Sequence, residues 1–233
     1  MKLAVMQPYL FPYIGYFQLI NAADKFVVYD NIEYTRKGWI NRNRILVDGK
    51  IKFFTLPLKK DSDFLTVRER FTADNSEVKI KRILSQISNS YRRAPFYKEV
   101  YPFIENLFLS GEKNLFGFIL KSIIELCSLL EIKTELIISS ELIMDHDLKS
   151  EKKVLEINRL LKSDIYINPI GGTELYDKNF FLNKGIELKF IKSRPVIYRQ
   201  FAEEFADSLS IIDVLMFNDL NKVRSFLNEY ELL

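Results

Sequence analysis

The chain has 233 residues, 48% of them hydrophobic and 28% charged, with a formal net charge of +3. That balance suits a globular protein and excludes a disordered one. So small a net charge gives no electrostatic case for a nucleic-acid partner.

Leu3 to Met6 is a short apolar run that stops at Gln7-Pro8, where proline removes a backbone donor. It reads as a buried strand. Pro12 then stands at the start of a short helix over Tyr13 to Ala22, a position that tolerates proline. Phe26 to Tyr29 is rich in β-formers and ends at the turn signal Asp30-Asn31. Strand, loop, helix and strand within thirty residues predict a βαβ unit, and hence a parallel sheet. The Asp48-Gly49 pair between Ile45–Val47 and Ile51–Phe54 predicts a β-hairpin, expected to join that sheet.

The pattern changes in the middle of the chain. Ile80, Ile83, Leu84, Ile87 and Tyr91 recur at helical spacing. A second helix is expected after Pro95, up to about Leu109. Lys113 to Leu130 is apolar on nearly every side and predicts a helix buried between layers. Strands follow at Glu135–Ile138, Asp164–Asn168 and Ile186–Ile191. Helices are expected at Lys152–Leu161, Leu209–Phe217 and Asp219–Leu227. The whole reads as one α/β domain over 1–233, Rossmann-like, with a mostly parallel sheet, a β-hairpin and an inserted helical lobe at 74–130.

Cys127 is the sole cysteine, so no internal disulfide is possible. It lies in an apolar helical run, as an inert buried thiol does. No apolar run approaches the ~18 residues of a spanning helix, and no targeting segment is read at the start of the sequence. A cytoplasmic protein without membrane insertion is the expectation.

In an open parallel α/β sheet, ligands bind outside the carboxyl ends of the strands. The unusual polar residues cluster in the loops expected there: Gln7 to Pro12, Asn31 to Arg44, Ser139-Ser140 and Pro169 to Thr173. Arg36, Lys37, Arg42 and Arg44 carry no acid between them. Guanidinium forks match phosphate and carboxylate geometry. Asn41 and Asn43 can hydrogen-bond sugar or phosphate oxygens, and Tyr34 and Trp39 can stack on a base or sugar. The competing reading is a solvated basic loop with an inward tryptophan, or an ordinary edge strand. In a strand, Arg42 and Arg44 share one face and Asn41 and Asn43 the other, which favours the arginines as ligand contacts. Tyr9 and Tyr13, beside Gln7, read as a pocket wall, whereas Tyr16 and Phe17 read as core.

Gly171-Gly172 follows a predicted strand and permits a left-handed turn with close backbone approach to a ligand. A tight strand–helix connection would use the pair equally well. Neither GxGxxG nor GxxxxGK[ST] is present. His146, the one histidine, lies between Asp145 and Asp147, where an acid can orient the ring as a base; a solvated surface turn explains it more simply. Asp30, Glu33 and Glu174 are the acids expected near the cleft, as bases or Mg²⁺ ligands. One histidine and one cysteine argue against a soft-metal site, and no metal site is assigned. No cofactor is identified.

QPYLFPYIGYFQLINAADKFVVYD, RKGWINRNRI, GGTELYDKNFFLNKGIELKF and LSIIDVLMFN together resemble the WbqC-like family, in the same order and over nearly the whole chain. The resemblance implies a setting in bacterial O-antigen and surface-polysaccharide assembly. The opening strand with FPYIGYFQLI and DKFVVYD also looks like nucleotidyl-transferase and pantothenate-synthetase-type folds. Tyr13 and Tyr16 stand where those folds commonly carry His or small polar residues, a departure that argues against ATP activation. The expectation is therefore an acyl or aminoacyl transferase forming an amide on a nucleotide-linked amino sugar. Its partners would be the sugar intermediate and an activated acyl donor. Asp30 or His146 would accept the amine proton. Arg36, Lys37, Arg42 and Arg44 would hold the diphosphate. Gln7, Tyr9, Asn41 and Asn43 would position the sugar or donor. The alternative is a non-catalytic subunit that binds a sugar nucleotide or a partner enzyme.

Overall fold

A computed structural model describes all residues, 1–233. Its main sheet contains β1 (Lys2–Met6), β2 (Lys25–Val28), β5 (Glu135–Ile138), β6 (Ile165–Pro169), β7 (Glu187–Ser193) and β8 (Tyr230–Leu232). They run in the order β5-β2-β1-β6-β7-β8, and every pairing is parallel except β7 with β8. β8, whose three residues carry no periodic signal of their own, escapes the sequence pattern.

Period-2 alternation sends the strand side chains to two cores. Leu3, Val5, Val27, Tyr166, Leu188 and Phe190 face α5 (Ser150–Leu160) and α6 (Lys178–Leu182). Ala4, Phe26, Val28 and Ile167 face the other way, into a cluster of 44 buried residues. That cluster takes in α1 (Ile14–Ala22), α2 (Ser76–Tyr91), α3 (Tyr97–Phe108), α4 (Leu115–Leu129), α7 (Ile211–Phe217) and α8 (Leu220–Phe226). Helices therefore cover both faces, as parallel strands buried on both sides require, and the fold is Rossmann-like α/β. The helices of 76–129 share the core of the sheet rather than enclosing one of their own. α4 is less enclosed than its composition suggests: Ile124 is half-exposed, between the solvated Lys121 and Glu125.

The hairpin is β3 (Arg42–Val47) and β4 (Lys50–Thr55). Asp48 and Gly49 both take positive φ (50° and 73°), the twist a two-residue hairpin needs. It does not join the main sheet as expected. It forms a sheet of its own, with Ile45 and Phe54 buried in the large core. No helix is long and apolar enough to cross a membrane.

Candidate functional site

From β1 the chain steps to β2 and β5 on one side, then returns to β6 on the other. The connections leaving β1 and β6 therefore diverge, and a crevice opens between their carboxyl ends. It holds about 450 Å³ and is lined by Met6, Gln7, Tyr9, Tyr29, Asn168, Pro169, Gly171, Gly172 and Tyr176, among others. No charged side chain lines it. Amides and phenols on apolar walls offer a few directed hydrogen bonds in an otherwise apolar space, the general make-up of a small-molecule pocket. A larger hollow of about 860 Å³ lies between the hairpin turn and Gln200–Ala206, away from the strand ends. It is a wide trough beside the hairpin turn rather than at the carboxyl ends of the parallel strands, so the switch-point crevice is the better candidate.

Strained backbone builds the crevice wall. Phe11 is fully buried with φ at 42°, a region that costs a non-glycine residue about 1–3 kcal/mol. Three bonds hold it there. Asn43 Nδ2 donates to the carbonyls of Leu10 (3.0 Å) and Phe11 (2.7 Å), and Ser210 Oγ donates to Phe11 (2.8 Å). Two residues before the bend, Tyr9 packs on Tyr16 and lines the crevice, where Gln7 Nε2 donates to its hydroxyl at 2.9 Å. Burial pushes the Tyr9 phenol up in pKa, and the bond from Gln7 partly offsets this. At Gly15 an added Cβ would sit 2.3 Å from the Tyr13 ring, so the glycine lets that ring lie across the start of α1.

Tyr9 is also a wall of a second pocket, about 230 Å³, with Tyr13, Trp39, Asn43, Arg44 and Ser208. Arg44 lies over the Trp39 ring at 5.1 Å, and its Nη2 donates to the Ser208 carbonyl at 3.1 Å. Burial pushes the Tyr13 phenol up, as does the nearby Tyr9.

The family model of WbqC-like proteins matches residues 7–225. The chain belongs to the WbqC-like protein family. The uncharacterized protein Rv1507c of Mycobacterium tuberculosis is 24% identical over 218 residues, 92% of either chain. No solved structure matches.

In this WbqC-like protein the basic loop divides. Arg36 pairs with Asp63 at the surface, 2.7 Å apart, and Lys37 is exposed. Arg42 donates to the Gly38 and Lys37 carbonyls and stacks on Phe53, closing the 35–38 turn. Of the four cations, Arg44 alone lines either pocket. Asn41 is buried, bonded to Tyr34 Oη and the Leu56 carbonyl. Asn41 and Tyr34 thus brace the loop against β4 rather than face a ligand. Asn43 touches the second pocket while its amide holds the Phe11 bend.

Asp30 and His146 lie off the crevice, at the ends of β2 and β5. Asp30 is 0% exposed and takes bonds from Ser139 Oγ (2.8 Å), Ser140 N (2.9 Å), Ser140 Oγ (2.7 Å) and Arg68 Nη1 (3.2 Å). With its lone pairs directed at four donors, it anchors the loop after β5. The His146 ring is exposed and bonded at both nitrogens, Nδ1 to Asn31 Nδ2 (2.9 Å) and Nε2 to the Leu142 carbonyl (3.0 Å).

The glycine pair also behaves differently from the expected left-handed turn. Neither Gly171 nor Gly172 has positive φ, and they lie in one turn of 3₁₀ helix. Gly172 is required by close approach: a Cβ there would sit 1.8 Å from Asn168 Nδ2. Sequence reasoning missed Tyr29, Asn168 and Tyr176 as lining residues. Burial, with Tyr176 adding to it, pushes the Tyr29 phenol up to about 12. Their signal was position alone: Tyr29 directly follows β2, Asn168 is the penultimate residue of β6, and Tyr176 lies in the connection after it. Lys153 lines neither pocket but packs beside the crevice residue Tyr29. It is 4% exposed on α5, with its amine 5.2 Å from the Tyr29 ring centre and donating to the His146 carbonyl at 3.1 Å. Burial pushes its pKa down, against the nearby Asp30, Asp147 and Asp145.

Proposed function

We propose that this WbqC-like protein is an enzyme that modifies a sugar intermediate of surface-polysaccharide assembly, by acyl or aminoacyl transfer to the amine of a nucleotide-linked amino sugar. The observation that carries the reading is the uncharged, amide- and phenol-lined crevice at the switch point, which shares Tyr9 with a pocket that holds an arginine. Hydroxyls of a sugar ring suit Gln7, Asn168 and the phenols of Tyr9, Tyr29 and Tyr176. In the transfer, the amine nitrogen attacks the acyl carbon of an already activated donor, the donor's leaving group departs and the amine gives up a proton. The demand on the chain is then mainly to orient two bound reactants. Asp30 and His146 are given no part in the proton transfer, because their acceptor positions are already occupied.

Those occupied acceptors also favour a second reading, in which the same crevice binds a sugar nucleotide without changing it. Incubation with amino-sugar nucleotides and activated acyl donors, followed by mass spectrometry, separates the two. The enzyme reading expects an acylated product from at least one pair, and less of it from Tyr9→Phe and Asn168→Ala. Binding of a sugar nucleotide with no product from any donor supports the second reading. Neither binding nor product overturns both.

A further inference from the structure

The second pocket has the features of an anion site. Arg42 lies over Phe53 (4.7 Å), Phe53 stacks on Trp39 (5.8 Å between centroids, 29° between planes), and Arg44 lies over Trp39 (5.1 Å). This alternation of guanidinium, ring, ring and guanidinium presents Arg44 on a rigid aromatic platform, and such contacts add to the positioning of a cation. Register supports it, since Arg44 is opposite Phe53 across the hairpin.

Arg44 is held but not neutralised. No acidic side chain lines its pocket. Its Nη2 reaches only a backbone carbonyl, Ser208, and its buried Nε has no partner. A guanidinium whose one bond is to a neutral carbonyl keeps Nη donors for an oxyanion, which it binds more strongly than a neutral acceptor. Other donors line the same space. Tyr9 accepts its bond from Gln7, so its own proton is free, and the Tyr13 and Ser208 hydroxyls line the pocket too. Donors from several side chains suit a tetrahedral oxyanion better than a planar carboxylate. At about 230 Å³ the pocket falls below the roughly 300–1,000 Å³ of whole small-molecule sites. It has the size of a subsite.

We infer that the Arg44–Trp39 pocket is a phosphate subsite, taking a phosphoryl or diphosphoryl group that displaces the Ser208 carbonyl from Arg44. The inference deepens the functional reading above by assigning a place to the charged part of the substrate, but it does not require that any transfer take place.

Trp39 is the single tryptophan of the chain, so its fluorescence reports this pocket alone. Titration with pyrophosphate, inorganic phosphate and acetate at constant ionic strength, with calorimetry alongside, tests the inference. Saturable binding of pyrophosphate or phosphate, tighter than acetate, is expected. Arg44→Ala should weaken it about tenfold or more, the loss of one charge-assisted hydrogen bond. Arg44→Lys should recover part of the affinity, and Arg159→Ala, at an exposed position of α5 outside the pocket lining, should leave it unchanged. Arg44→Gln, which keeps a donor for the Ser208 carbonyl, guards against a folding defect and should lose affinity as well. Acetate binding as tightly as pyrophosphate overturns the phosphate assignment. Absence of saturable binding by both methods, or unchanged affinity in Arg44→Ala and Arg44→Gln, overturns the site. Amide product without phosphate binding would sink this inference and leave the enzyme standing. Phosphate binding without product would do the reverse.

Discussion

Replacing Gly172 by alanine tests whether the floor of the crevice is built by close packing. The added methyl would lie 1.8 Å from Asn168 Nδ2 and 3.1 Å from its Cγ. Asn168 is buried, and its Oδ1 accepts from Tyr166 Oη at 3.1 Å, so the amide cannot swing aside without breaking that bond. Overpacking a filled site costs about 1–3 kcal/mol. Loss of the tyrosine bond adds about 0.5–1.5 kcal/mol. A destabilisation of about 2–4 kcal/mol follows. In a chain of this length each kcal/mol lowers Tm by roughly 2–4 °C, so calorimetry should find Gly172→Ala melting about 4–16 °C below the parent. Gly171→Ala is the control, since nothing lies within 4 Å of its Cβ position and its φ is not left-handed. It should melt no lower than the parent and within about 4 °C of it, given that unstrained Gly→Ala changes stabilise by under about 1 kcal/mol. Asn168→Ala in the Gly172→Ala background should recover much of the loss by removing the clash. Equal losses at the two glycines, or a Gly172→Ala protein as stable as the parent, would refute the reasoning.

Asp30→Asn should destabilise the fold by about 2–4 kcal/mol in urea unfolding, because an amide nitrogen would then face hydroxyl, backbone and guanidinium donors; unchanged stability would free Asp30 for other chemistry. Asp213 is buried in α7 and accepts from Tyr91 Oη (2.6 Å), Tyr198 Oη (2.7 Å) and Gln200 Nε2 (3.0 Å). Burial nevertheless raises its pKa, with the three bonds opposing. The folded chain therefore holds this proton more tightly than the unfolded one. The contribution of Asp213 to stability is greatest below the ordinary carboxylate pKa and falls as pH rises through the raised folded value. The stability of the parent minus that of Asp213→Asn should accordingly decline with rising pH across that window, and an increase would contradict the burial argument.

Much of the scaffold was legible along the chain. Leu3–Met6, Phe26–Tyr29, Glu135–Ile138 and the Asp48-Gly49 turn declare themselves because apolar runs and turn chemistry are local properties. Gln7 and Tyr9 could be placed at the crevice for the same reason: a strand stopped by Gln-Pro leaves its next residues at a carboxyl end. The roles of the basic loop were not legible. Asn41 and Asn43 look like ligand contacts until the partners appear, the carbonyls of Leu56, Leu10 and Phe11, the last two more than thirty residues away. Arg36 and Arg44 have the same composition and neighbourhood in sequence, yet one meets Asp63 and the other a pocket without an acid.

Local order thus determined, from the sequence alone, that this is an α/β chain with its polar residues at strand ends. Tertiary structure alone decided which of those residues face a ligand space. A polar side chain is consumed or spared by the donors and acceptors that folding brings beside it, and those come from distant segments. Asp30 meets Ser139, Ser140 and Arg68 and is spent, whereas Arg44 meets only the Ser208 carbonyl and keeps donors to offer.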